Sequence, residues 1–390
     1  MTSLASLKER FIEIFNDEQV RFFYSPGRVN LLGEHTDYNG GYVLPVALNV
    51  GTTVCISKRR DNKICLTATD LDEKVCADIE NLDAYRKIKW GNYQLGVAYE
   101  LLRAGYKVDG CNMLFYDTVP HGAGLSSSAA IECATGIALL KVFNPGREID
   151  RVELALLAQR AENQFVGVNC GIMDQFASVM GKKNNAIFLN CKTLEYQYVP
   201  LNLGDYLLVI TNTNKKRSLA DSKYNERRSE CERGLEMLKK ELPNITCLGD
   251  VTIEMYEAVK GVIDDPVIEK RVRHVIYEDY RVLRAIEVLN KNDLAEFGKL
   301  MIASHESLRD LYEVTGKELD VLFEEALKVE GVLGTRMTGA GFGGCTVSIV
   351  HKSAIEDFKF LVGKNYTQRT GLIPDFYVME TDDGSREITD

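Results

Sequence analysis

Between Ala129 and Phe143 the chain carries only Glu132 and Lys141 as charges, so this stretch reads as a helix buried on most sides. Immediately before it stands Gly122-Ala-Gly-Leu-Ser-Ser-Ser-Ala-Ala130. Two glycines and three serines at the start of a buried helix aim free backbone N–H groups, hydroxyls and the positive end of the helix dipole at one spot. That is a place for a phosphate-bearing ligand; the structural alternative is a serine-rich helix cap. A cap needs one serine, not three plus two glycines. At 390 residues the chain is too long for one ordinary core, and about two domains are expected.

A second run, Pro26-Gly-Arg-Val-Asn-Leu-Leu-Gly-Glu-His-Thr-Asp-Tyr-Asn-Gly-Gly41, is too polar and glycine-rich for a core element and too varied for a linker. Hydrogen-bonding groups of several kinds on a pliable backbone suit a polyhydroxylated ligand. Arg28 is its one positive group and the natural partner of an anion or carboxylate.

Residues 42–80 read as strands and turns, Asn92 to Ala104 as a helix, Cys111 to Tyr116 as a strand and Tyr206 to Thr211 as another. Thr2 or Ser3 suits the cap of a first helix with Leu4, Leu7, Phe11 and Phe15 as its stripe. Asp150-x-x-Glu153 resembles a capping box that opens a helix with Leu154, Leu157, Ala161 and Phe165 inward. Residues 216–330 are charge-rich and helical in pattern. Two α+β units result, divided near 180–210 and sharing a substantial interface.

The formal charge of −10 opposes a nucleic-acid surface or an anionic membrane as partner. No apolar run reaches membrane-spanning length, and Lys8, Glu9 and Arg10 interrupt the N-terminus before a secretory signal could form. Ten scattered cysteines without a C-x-x-C pair suit reduced, mostly buried thiols and a cytoplasmic protein.

Gly339-Ala-Gly-Phe-Gly-Gly344 matches G-x-G-x-x-G literally, but Cys345 to Val350 after it reads as a strand, not a helix. A loop approaching a ligand or another backbone remains. No Walker loop and no protein-kinase motif set occurs. Asp174, among Ile172, Met173 and Phe176, must be paired, hydrogen-bonded or functional, or else cap a helix. Glu162 taken singly reads as a surface residue at the edge of an apolar stripe. His121, His274, His305 and His351 read as structural.

In their order along the chain the three constellations resemble those of the GHMP small-molecule kinases. Gly27 to Gly41 closely resembles the galactokinase motif, Gly122 to Ala130 the superfamily's ATP-binding motif and Thr338 to Gly344 its third motif. The resemblance implies a two-domain α+β GHMP kinase fold. Residues 1–205 would form an N-terminal mixed-sheet α/β domain, ribosomal protein S5 domain 2-like. Residues 206–390 would form a ferredoxin-like α+β domain with added helices.

It also implies phosphorylation of α-D-galactose at its C1 hydroxyl by ATP with Mg²⁺, in a cytoplasmic monomer without nucleic-acid or membrane partners. Asp174 would face that hydroxyl with Arg28 beside it. Glu34, His35, Thr36, Asp37, Gly171 and Tyr224 would bind the sugar. Gly122, Ala123, Gly124, Leu125, Ser126, Ser127 and Ser128 would wrap the phosphates, with Ser128 and Glu162 on Mg²⁺. Trp90 and Tyr93 would flank adenine, and Thr69 would touch the nucleotide. His121 departs from the pattern, where relatives carry a small or aliphatic residue. Other acceptors in the superfamily (N-acetylgalactosamine, arabinose, mevalonate, homoserine) and a non-catalytic galactose and ATP sensor are the alternatives.

Overall fold

The buried helix spans Ser127–Phe143 in the computed structural model, which describes residues 2–120, 122–215 and 220–389. It lies across the strands Arg21–Asn30 and Pro45–Lys58 and is covered by the helices Asn92–Arg103, Arg151–Arg160 and Met173–Met180. Being enclosed from both sides is why it carries almost no charge.

Among the described residues the strands form three sheets. The largest runs in the order Arg386–Ile388, Arg21–Asn30, Pro45–Lys58, Cys111–Asp117, Lys63–Ala68, Leu71–Asp78. Only Lys63–Ala68 and Cys111–Asp117 pair parallel, so the sheet is mixed. A parallel pair needs a crossover, which the helix Asn92–Arg103 supplies. The second sheet is antiparallel, in the order Val332–Thr338, Cys345–His351, Tyr206–Asn212, Asp375–Met379. Numbered along the chain this is 2-3-1-4, a ferredoxin-like order, with the helical residues inserted after its first strand. A small third sheet joins Tyr42–Val43, Asn185–Asn190 and Tyr196–Pro200.

One apolar cluster fills the first half, with Phe23, Val54, Leu95 and Ile137 at its centre. Another joins Leu31 and Leu44 of the first half to Leu208, Ile210 and Phe297 of the second, so the halves share a continuous core. Ser3 caps the first helix, accepting from Ser6 N at 3.1 Å. Asp150 caps the helix Arg151–Arg160 as expected, but the Glu153 carboxylate goes to the Tyr106 hydroxyl rather than back to the cap.

Three expectations are corrected, and one strand pairing was not foreseen. The final strand, Arg386–Ile388, pairs with Arg21–Asn30 and places the chain's last residues in the first sheet, across a sequence separation that no local pattern reveals. Cys65 and Cys76 face each other on neighbouring strands and are disulfide-bonded, while the other eight cysteines are free thiols. The run from Pro26, expected to be too polar and glycine-rich for a core element, is largely inside: Pro26 to Asn30 complete a strand, and every residue from Leu31 to Thr36 is buried. Glu162, far from being a surface residue, is 6% exposed in a π-helical turn, Ala161–Val166. His274 and His305 are buried as expected, and His121 lies outside the described residues.

Candidate active site

The strand Arg21–Asn30 loses register with its neighbour between Pro26 and Arg28. Such a bulge re-aims a side chain, here Arg28. Gly27 sits at the irregularity because a Cβ there would stand 2.6 Å from the Leu125 carbonyl oxygen. That oxygen accepts the Arg28 N–H at 3.1 Å, so the first motif is bonded directly to the glycine–serine loop.

The Arg28 side chain is 4% exposed. Its Nη2 and Nε lie 2.7 and 2.9 Å from Asp174 Oδ1, and its Nη1 donates to the Gly124 carbonyl at 2.9 Å. Asp174 opens the helix Met173–Met180, and its Oδ2 accepts from Ser126 Oγ at 2.6 Å. Ser126 is left-handed, with φ 60°, a conformation a non-glycine residue holds only when its surroundings impose it. Its hydroxyl caps no helix and instead ties the loop to Asp174.

These groups line a cleft of about 270 Å³ together with Gly122, Leu125, Ser127, Ser128, Gly339 and Ala340. The N-terminus of the helix Ser127–Phe143 faces it. Ala123 is fully buried beneath the loop. The Ser127 hydroxyl donates to Asp117 Oδ2 at 2.6 Å, so its proton is committed and the donor Ser127 can offer a phosphate is its backbone N–H. The third glycine motif reaches the same cleft, and a strand follows it as expected. Gly341 has φ +80°, and a Cβ there would stand 2.3 Å from the Val314 carbonyl oxygen.

Beside Asp174 lies the rest of the first motif. A Cβ on Gly171 would overlap Asp37 Oδ2 at 1.7 Å, so only glycine lets the backbone lie against that carboxylate. Burial and then Asp174 push the Asp37 carboxyl up to about 7. His35 is packed among rings, 4.9 Å from Tyr312 and 5.6 Å from Tyr224, and its Nδ1 pairs with the Tyr38 hydroxyl at 2.9 Å. Burial lowers its pKa to about 3, so the ring is neutral. The Tyr224 phenol is pushed up by burial and next by Asp37, which places it at the same spot. Glu34 is buried against Arg336, Nη2 to Oε2 2.8 Å. Thr36 is spent on the loop itself: its hydroxyl lies 2.9 and 2.7 Å from the Gly33 and Tyr42 carbonyls.

Glu162 has as neighbours the Cys170 thiol, the Gln175 amide, the Ser128 hydroxyl and the Asp174 carboxylate, none of them a cation. Burial and then Asp174 raise its pKa. A buried carboxylate beside a hydroxyl at the edge of a phosphate-sized cleft is a donor set that fits Mg²⁺, which takes few protein oxygens and completes its shell with phosphate and water. Trp90 and Tyr93 stand outside the lining of the cleft, at the start of the helix Asn92–Arg103. Trp90 packs on the first-half core with its indole N–H buried and, among the described residues, without an acceptor. Thr69 bonds to the Phe115 carbonyl at 2.9 Å, on the strand that leads to the glycine loop.

Several groups at this site escape sequence reasoning. Glu278, on the helix Pro266–Asn290, accepts from Gly33 N at 3.0 Å and from Ser304 Oγ at 2.6 Å. Burial works against its charge, but Arg281, His274 and Arg336 outweigh it and hold its pKa down to about 2. Asp279 accepts from Tyr42 N at 2.7 Å. Its Oδ1 lies where a Gly41 Cβ would fall, 2.3 Å away. The only signal for either residue was an acidic pair in an otherwise charge-rich helix.

The bulged Arg28, the phosphate-sized loop and the two interlocked halves are those of a GHMP small-molecule kinase. Family models agree: GHMP kinases N terminal domain matches residues 92–182, and GHMP kinases C terminal matches residues 285–366. Residues 9–58 match the galactokinase galactose-binding signature. A galactokinase of Clostridium tetani is 51% identical over 99% of this chain and 98% of its own, and one of Bacillus subtilis is 47% identical over 98% of each. The chain belongs to the galactokinase family. Its structure superposes on that of Lactococcus lactis galactokinase complexed with galactose, with a TM-score of 0.94, 42% identity and coverage of 99% and 100%. The mevalonate kinase of Methanococcus jannaschii, 18% identical with a TM-score of 0.67, shares the fold.

Proposed function

We infer that this chain transfers the γ-phosphoryl group of ATP to the C1 hydroxyl of α-D-galactose, giving α-D-galactose 1-phosphate and ADP. The observation that carries the reading is Asp174, held by Arg28 and Ser126 at the seam between a polar sugar-sized wall and the glycine loop. The wall is Glu34, His35, Asp37, Gly171 and Tyr224. Each of the two motifs contributes a group to the same carboxylate.

Phosphoryl transfer is mostly positioning and charge stabilisation. Asp174 orients the C1 hydroxyl and takes its proton. Arg28 offers its charge to the oxygen as it attacks. Backbone N–H groups of Gly122 to Ser128 and the helix dipole hold the phosphates against the chain's negative field. Ser128 and Glu162 would hold Mg²⁺, whose charge would neutralise the phosphate oxygens. Trp90, with a buried N–H in want of an acceptor, and Tyr93 suit the nucleotide's base, with Thr69 nearby. The domains divide as 1–205 and 206–390, the second lending its last strand to the first. The chain acts as a monomer in the cytoplasm.

The test is ADP release with galactose, with N-acetylgalactosamine and without sugar. Galactose-dependent release supports the reading. Release with N-acetylgalactosamine alone moves the substrate, and galactose binding without release revives the sensor.

Two further outcomes are expected. A sugar hydroxyl donating to Asp37 selects its ionised form, and with a pKa of about 7 that form grows roughly tenfold between pH 6 and pH 8. Galactose affinity measured by calorimetry therefore rises by about that factor, and Asp37→Asn flattens the slope. For the free fold the sign is opposite: stability from the bound proton is present at low pH and lost as pH rises through about 7. Gly171→Ala forces Asp37 aside and raises the KM for galactose by up to about 10²-fold, with ADP release as readout.

A further inference from the structure

Directly after Asp174, the Gln175 side chain turns into the core, where it is fully buried. Its amide nitrogen lies 2.6 Å from Glu162 Oε2 and 2.9 Å from Glu132 Oε2. An amide has two N–H groups, and both are committed to these carboxyls. Glu132 itself is fully buried in the middle of the helix Ser127–Phe143, and its Oε1 has no hydrogen-bond partner. The Cys170 thiol also donates to Glu162 Oε2, at 3.3 Å. Glu162 is carried by a π-helical turn, which gives its side chain a direction that a regular helix would not. Carboxyls in a dry core persist only when fixed by hydrogen bonds, and among the described residues no cation is named beside Glu132 or Glu162.

We propose that Gln175, backed by Glu132, is a positioning residue that fixes Glu162 for metal binding beside Ser128. It rests on the reading that Glu162 and Ser128 hold the metal. Gln175 and Asp174 are consecutive on one helix, so a single turn sets both the carboxylate at the sugar hydroxyl and the bracket behind the nucleotide-side carboxylate. The two substrates are thereby held at a fixed separation by backbone rather than by long side chains. Glu132 serves as the far anchor: it occupies the second N–H of the amide and stops the Gln175 side chain from rotating.

The experiment measures Mn²⁺ binding by electron paramagnetic resonance in the presence of a non-hydrolysable ATP analogue, and galactose binding by calorimetry without metal. Gln175→Leu is expected to weaken Mn²⁺ by about 10- to 100-fold while galactose affinity stays within about twofold. Glu132→Gln keeps an oxygen for the amide and is expected to retain most of the binding; Glu132→Leu is not. Gln175→Met, unbranched and close to glutamine in volume, removes both N–H donors with little change of packing. It is expected to bind Mn²⁺ as weakly as Gln175→Leu, and it guards against a Leu variant that fails to fold. Normal Mn²⁺ binding in either folded variant overturns the proposal. A Glu162→Gln variant that binds Mn²⁺ normally removes the metal reading itself and the proposal with it, whereas weak binding there with normal binding in Gln175→Leu removes the bracket alone.

Discussion

Asp174→Asn is expected to lower kcat by about 10²- to 10⁴-fold, the range that general-base action supplies. The substitution is close to isosteric, so its effect separates chemistry from shape. One amide oxygen can still face Arg28, where two nitrogens now converge on Oδ1, and the amide N–H₂ can face Ser126 Oγ, which accepts as readily as it donates. The loop should therefore stay tied to the helix Met173–Met180. Galactose affinity is expected to change by less than about tenfold, because the wall of Asp37, Gly171, His35 and Tyr224 is untouched. Arg28 loses its ionic partner but keeps the Gly124 carbonyl, and the cost in stability is about 1–3 kcal/mol. Burst kinetics and calorimetry on the same sample check both halves. Near-normal turnover removes Asp174 from the role of base and leaves it an orienting group.

The same residues show how far a sequence can be read. The cleft-lining loop Gly122 to Ser128 was legible because its parts are local: the glycines, the serines and the helix they open lie within one stretch of chain. Arg28 and Asp174 were legible as groups in need of partners, since neither has a cheap place in apolar surroundings, and they pair with each other. The bulge that aims Arg28 was not, because it depends on the register with Pro45–Lys58. Glu162 was misjudged for a related reason. At the edge of a helical stripe a glutamate normally faces solvent, and only the π-helical turn, the helix Asn92–Arg103 packed on it and the Gln175 amide that reaches it put this one inside. Ser127 and Thr36 looked equivalent to their neighbours, yet Asp117 and two carbonyls had already claimed their hydroxyls. Glu278, Asp279 and Arg336 could not be found at all: they hold the sugar motif from elements more than 200 residues away, and a charged residue in a charged helix carries no mark of what it will touch.

Arg336→Met is expected to destabilise the fold by about 3–5 kcal/mol, read as a shift of the urea midpoint at pH 7. Arg336 is fully buried on the strand Val332–Thr338 and reaches across to Glu34, while its Nη1 donates to the Asn30 carbonyl at 3.2 Å. It is thus one of the second half's grips on the first motif, beside Glu278 and Thr338. Burial already raises the Glu34 carboxyl, and Arg336, with help from Arg28 and the Gly339 backbone, is what pulls it back down. Without Arg336 the raised value climbs further. A carboxyl whose folded pKa lies above its unfolded one contributes stability that is present at low pH and lost as pH rises through the folded pKa. The penalty of the variant should therefore be small near pH 4, where Glu34 is protonated in both states, and full once pH exceeds the folded value. Adding Glu34→Gln removes the stranded charge and should recover most of the loss, since a buried ion pair replaced on both sides is commonly neutral. The double variant regains stability without regaining galactose affinity if Glu34 also serves the sugar. A single variant as stable as the parent across pH 4 to 8 would mean that Glu34 finds another partner, and the two motifs would then be joined by the Thr338–Asn30 hydrogen bonds and packing rather than by an ion pair.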